Sequence, residues 1–140
     1  MNAIKQAIEL NRPQRDDVVV VLAKVGGLDI AAMMGTFLGG ALHRVPVLID
    51  GAISSVAALC AARACPASRC AMIATHASSE SVALAVLDEL GLHPVIDAKL
   101  HLGEGTGAVC LLPMLDMALV VYDGVSFDAM ELEAYEVDPQ

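Results

Sequence analysis

One carboxylate, Glu104, stands in Gly103-Glu104-Gly105-Thr106-Gly107, directly ahead of an apolar run. Glycine removes steric cover and permits backbone angles that other residues resist. A solvent loop has no need of three glycines around one acid. A site where a substrate must approach both backbone and carboxylate does. The plainer alternative is a loop residue, or a carboxylate stabilised by the dipole of the helix that follows.

Two other junctions carry polar groups. "VPVLID" ends in Asp50-Gly51, and "RCAMIATH" ends in His76 and leads to Ser78 and Ser79. In open parallel sheets, ligands bind outside the carboxyl ends of strands. A helix starting there presents free N–H groups and partial positive charge, which suits a phosphate. Ser78 and Ser79 add hydroxyl donors, or act only as helix caps. Asp50 has the wrong charge for phosphate. It either accepts hydrogen bonds from ribose hydroxyls or positions a loop. His76 could equally be a structural hydrogen-bonder.

Other chemistries find no support. His43, His93 and His101 are scattered and suggest no metal cluster. Cys60, Cys65, Cys70 and Cys110 contain no Cys-x-x-Cys pair, and their spacing matches no common zinc pattern. They are expected to be buried free thiols in a reducing cytoplasm. There is no phosphate-loop motif. Gly35, Gly39 and Gly40 lie inside a helical pattern, so they make no dinucleotide fingerprint.

The elements that must position these residues follow from pattern. The chain has 140 residues, 56 % of them hydrophobic but only 3 % aromatic, so Ala, Val, Leu, Ile and Met must build the core. This suits helices on a buried parallel sheet. Met1 to Leu10 reads as a helix, broken at Pro13, with Asp16 or Asp17 as the next cap. "VVVVLAKV" is ambiguous: its valines favour a strand, while the cap before it and Gly26-Gly27 after it favour a short helix. Leu28 to His43 is helical. Then strand and helix alternate: "VPVLID", "AISSVAALCAARAC", "RCAMIATH", "SSESVALAVLDELG" with Gly91 as its stop, "HPVIDAKLHL", and the helix "GAVCLLPMLDMALVVYDG", in which Pro113 implies a kink or a later start. Such alternation with short links implies a parallel arrangement. The expected fold is one α/β domain over residues 1–140.

Formal net charge is −9, which argues against nucleic-acid binding. The acidic end, "DAMELEAYEVDPQ", reads as a solvated tail or edge. "MNAIKQAIEL" lacks the apolar core of a secretory signal. No run reaches the roughly 18 apolar residues that span a bilayer; "AVCLLPMLDMALVVY" reads as a buried helix. Physics alone stops at an α/β domain that binds a phosphorylated small molecule.

Four segments taken together say more. "KVGGLDIAAMMG", "VPVLIDGAISSVAALCAARACP", "ATHASSE" and "LHLGEGTGAVCLLPML" occur in this order. From about Val18 to Met117 the chain resembles the C-terminal part of the nicotinate-nucleotide–dimethylbenzimidazole phosphoribosyltransferases, which make the lower ligand of cobalamin. The resemblance implies a Rossmann-like parallel sheet flanked by helices in three layers, incomplete relative to the whole family domain. It implies transfer of phosphoribose from nicotinate mononucleotide to a benzimidazole nitrogen, with release of nicotinate. Glu104 falls on the family's general base, and Leu102 on a residue lining the base pocket. Asp50, Gly51, Ser78 and Ser79 fall near the ribose phosphate, with Gly103 and Gly105 flanking the base. General-base help of this kind is worth about 10²–10⁴ in rate, and an apolar pocket beside Leu102 would raise the pKa of Glu104 and make it a better base. No metal or organic cofactor is implied.

The family's chains are considerably longer, and the front that supplies much of the benzimidazole pocket has no counterpart here. The expectation is a cut piece, a truncated product or half of a split enzyme, inactive alone and working as a homodimer or with the missing N-terminal part. Where the family often has Glu-Pro-Gly-His, this chain has Glu80-Ser81-Val82-Ala83, and Asp29 stands where Glu is usual. The competing expectation is a non-catalytic remnant or partner-binding subunit that keeps the fold.

Overall fold

A computed structural model describes residues 2–100, 103–124 and 129. Helix α1 (Asn2–Asn11) packs on α2 (Val18–Val25), and α3 (Leu28–His43) follows. The four valines of α2 do not make a strand. The Asp17 carboxylate accepts the N–H groups of Val19 and Val20 at 3.0 and 3.1 Å, which satisfies donors the first helical turn cannot pair itself. Capping therefore outweighs β-propensity here.

Two parallel units come next. In the first, β1 (Val47–Ile49) pairs with β2 (Met72–Ala74) around helix α4 (Gly51–Ala64). In the second, β3 (His76–Ser78) pairs with β4 (Ile96–Leu100) around α5 (Ser81–Leu90). Helix α6 (Thr106–Tyr122) follows β4. The architecture is α/β, with short parallel sheets flanked by helices.

The strand expected over residues 69–76 is corrected at both ends. Pro66 opens a 3-10 turn, Pro66–Ala71, so pairing begins only at Met72. Pairing also continues past His76, with a change of partner. Thr75 is the junction: its N–H donates to the Ile49 carbonyl at 3.2 Å, and its own carbonyl accepts from Ile96 N–H at 2.9 Å. One extended segment thus serves β1 on one side and β4 on the other.

The core forms where small residues admit close packing. Ala57, Ala58, Ala61 and Ala62 are buried on α4, which packs against both α3 and α5. Met34 and Phe37 enter from α3, Leu87 and Leu90 from α5, and Ile49 and Met72 from the strands. Each large side chain of this kind contributes roughly 1.5–3 kcal/mol when fully buried. Gly40 of α3 is buried against Val45 and Val47, and a Cβ there would strike the Val45 carbonyl oxygen and the Val47 side chain.

Two burial expectations fail. The four cysteines are free thiols, yet Cys65, Cys70 and Cys110 are exposed and Cys60 is only half-buried. Alanines occupy the buried face of α4, while Cys65 is the N-cap of the 3-10 turn and Cys70 lies within it. Helix α6 is also not a buried helix: only Gly107 and Leu111 are buried, while Leu112, Met117, Leu119, Val120 and Val121 stand exposed. The helix contacts β4, and most of its side chains from Leu112 onward stand exposed. Among the described residues, no helix is long and apolar enough to cross a membrane.

Candidate functional site

Three strand ends and three helix starts meet around a cavity of about 290 Å³. Asp50 and Gly51 reach it from the β1–α4 junction, Ser78, Ser79 and Glu80 from the β3–α5 junction, and Gly103 and Glu104 from the β4–α6 junction. Ala52, Ile53, His76 and Leu100 complete the lining. Of the residues singled out from sequence, Asp50, Gly51, Ser78, Ser79, Gly103 and Glu104 line this one space. Gly105 is not part of the lining, and Leu102 lies outside the described residues.

The glycines around Glu104 do different work. Glu104 itself adopts φ 62° and Gly105 φ 84°, two successive left-handed residues that turn the chain from β4 into α6. The left-handed region is permissive for glycine and unfavourable for glutamate. Gly107 is buried against His76 and Asp50, where a Cβ would collide with the imidazole ring and the carboxylate. Gly103 meets no such constraint; its carbonyl accepts the Thr106 hydroxyl at 2.8 Å. Glu104 is exposed, so the apolar enclosure expected around it is absent among the described residues.

Asp50 occupies the N-cap position of α4, but its side chain makes no cap bond to that helix. Its Oδ2 accepts Gly105 N–H at 2.9 Å and its Oδ1 accepts Ala108 N–H at 3.0 Å. The carboxylate therefore caps α6, and of the two roles open in the sequence the loop-positioning one is filled. Ser54 does the local work instead: its Oγ accepts from Asp50 N–H at 2.8 Å and donates to the Asp50 carbonyl at 2.6 Å.

His76 is buried, with Nδ1 3.0 Å from Thr75 Oγ1 and 3.7 Å from Asp50 Oδ1. Its structural role was open in the sequence, but its place beside Asp50 was not visible there. Gly107 holds the only local hint, since a glycine inside a helix often marks close approach.

Ser78 and Ser79 do not cap α5. Ser78 lies in β3 and its Oγ accepts Glu80 N–H at 3.2 Å, while Glu80 holds the N-cap position without a side-chain cap bond. The starts of α4 and α5 thus carry no side-chain cap, and both border the cavity. Uncapped N–H groups at two helix starts, with two serine hydroxyls beside them, favour an anion. Among the described residues, no group of His, Cys, Asp and Glu could hold a metal ion.

A family model described as phosphoribosyltransferase matches residues 1–130. The nicotinate-nucleotide–dimethylbenzimidazole phosphoribosyltransferase of Clostridium acetobutylicum is 42 % identical over 134 residues, covering 95 % of this chain and 38 % of its own length. The enzyme of the same name from Chloroflexus aurantiacus is 47 % identical over 120 residues, covering 86 % of this chain and 34 % of that one. The crystal structure of CobT from Thermus thermophilus superposes with a TM-score of 0.84 at 32 % identity, over 94 % of this chain and 39 % of that chain. The chain thus spans less than two fifths of the length of these relatives. On the match over residues 1–130 and the shared fold, it belongs to the nicotinate-nucleotide–dimethylbenzimidazole phosphoribosyltransferase family.

Proposed function

We propose that this chain supplies the general base and the phosphate-facing wall of a site that moves phosphoribose from nicotinate mononucleotide to a benzimidazole. One benzimidazole nitrogen attacks C1′ of the ribose as its other nitrogen gives up its proton to Glu104. The bond from C1′ to nicotinate breaks, and its electron pair returns to the pyridine nitrogen. The products are nicotinate and the α-riboside 5′-phosphate. The ribose phosphate sits against the uncapped starts of α4 and α5 with Ser78 and Ser79, and Glu104 faces it from the β4–α6 turn. Leu102 joins the base pocket in this reading. Both substrates are cytoplasmic small molecules.

The observation that supports the reading is the shared cavity, lined both by Glu104 and by residues at two uncapped helix starts. In this reading the rest of the pocket comes from further polypeptide, through a homodimer or an assembly with an N-terminal part, and the greater length of the relatives supports it. Alignment of two substrates is a large part of such catalysis, so the 140-residue chain alone is expected to turn over nicotinate mononucleotide little or not at all.

A second reading, a partner-binding or non-catalytic subunit, is favoured by the bare apolar side chains of α6. Glu104→Gln separates the two in any preparation with activity. The amide keeps the shape but takes no proton at neutral pH. General-base catalysis predicts a kcat loss of roughly 10²-fold or more with KM little changed. Retained kcat would end the base assignment.

A further inference from the structure

We infer that Asp50 is the positioning residue for Glu104 and not a ligand of the ribose. The inference rests on the reading of Glu104 as the base. Helix α6 cannot cap itself, because its N-cap residue is Gly105. The donors at its start are taken by a carboxylate 55 and 58 residues earlier in the chain. That carboxylate is released from its own helix because Ser54 ties down the Asp50 backbone. One clasp therefore joins the end of β1 to the turn after β4.

The clasp acts where the backbone most needs it. Glu104 and Gly105 hold consecutive left-handed conformations, which an L side chain keeps only when its surroundings over-determine it. The bond from Gly105 N–H to Asp50 Oδ2 closes directly after Glu104. The bond from Ala108 N–H to Oδ1 fixes the first turn of α6. His76 backs Oδ1 from the buried side, and Gly107 leaves room for the approach. Each Asp50 oxygen already holds a main-chain donor, so its chemistry is directed at the loop.

The test has a structural and a kinetic arm. In the 140-residue chain, Asp50→Asn keeps the shape but replaces one acceptor oxygen with an NH₂ group. Amide exchange of Gly105 and Ala108 is expected to quicken about tenfold or more, while core amides of α3 and α4 hold. Should that variant fail to fold, the unmodified chain still tests the clasp: the amide shifts of Gly105 and Ala108 should follow the titration of the Asp50 carboxyl carbon. Unchanged exchange, or shifts that ignore that carboxyl, overturns the clasp.

In an active assembly, Asp50→Asn should lower kcat by about 10²-fold with KM for nicotinate mononucleotide held, since small misplacements of a reacting group cost that much. Combined with Glu104→Gln it should add little, as expected of groups acting as a unit. A risen KM with intact kcat would make Asp50 a substrate ligand and overturn the proposal, as would fully additive losses. If Glu104→Gln keeps its kcat while Asp50→Asn frees both amides, the base reading fails and the loop-holding role stands.

Discussion

The hydroxyl of Thr75 and the ring of its neighbour His76 are joined by a contact of 3.0 Å from Oγ1 to Nδ1, and its polarity follows from a second contact. Thr75 Oγ1 donates its one proton to the Ile49 carbonyl at 2.7 Å. It can then only accept from the imidazole, so Nδ1 carries the ring proton. The residue that hands the extended segment from β1 to β4 also fixes the tautomer of the histidine behind Asp50.

Thr75→Val should therefore cost about 1–3 kcal/mol, because it leaves a buried imidazole N–H without its hydroxyl acceptor. Urea denaturation measures the loss. Nitrogen chemical shifts of His76 report the tautomer in the parent chain, and a proton on the other nitrogen would overturn the assignment.

Glycine-to-alanine changes should divide by location and not by helix propensity. Gly35 faces open space in α3, so Gly35→Ala should stabilise by roughly 0.5–1 kcal/mol. Gly40→Ala and Gly107→Ala meet buried neighbours and should destabilise by about 1–3 kcal/mol through overpacking. Thermal or denaturant midpoints of the three variants give the signs directly. A stabilising Gly107→Ala would mean that α6 does not approach His76 as described.

At Glu104, Gly and Ala variants should differ although both remove the carboxylate. With φ at 62°, the left-handed cost persists in Ala and vanishes in Gly. Glu104→Gly should exceed Glu104→Ala in stability by about 1 kcal/mol. Equal stabilities would show that the turn relaxes without strain.

Thiol labelling should rank the cysteines. Burial pushes the Cys60 thiol above its usual pKa, with the nearby Arg63 opposing the shift. The thiolate is the reactive form. As pH rises from neutral, Cys60 should react after the exposed Cys65, Cys70 and Cys110. The same shift makes its contribution to folded stability full at neutral pH, below the unfolded value, and lost as pH rises through the folded one. Mass spectrometry of timed reactions checks the order, and early labelling of Cys60 would contradict its burial.

Much of the scaffold was legible because it is local. The glycine stop at Gly91, the helix over Leu28 to His43 and the strand before Asp50 follow from spacing and terminators within a few residues. The identity of α2 turned on a single cap, Asp17, against four valines. What escaped was long-range. Nothing near Asp50 announces that its carboxylate serves a helix more than fifty residues on, and nothing near Thr75 announces two strand partners. Ser78 has the composition of a cap but is held in β3. The exposed cysteines and the bare face of α6 show that apolar composition states what can be buried, not what is.

The clasp between Asp50 and α6 has a consequence for how this chain can drift in sequence. Its donors are peptide groups, which every residue but proline carries, so the side chain at Ala108 is free to vary without disturbing the turn. The acceptor carboxylate, the glycine that lets it approach and the left-handed Gly105 are tied to residue identity. The walls of the cavity can thus change residue by residue while Glu104 stays where it is, without rebuilding the turn that holds the acid.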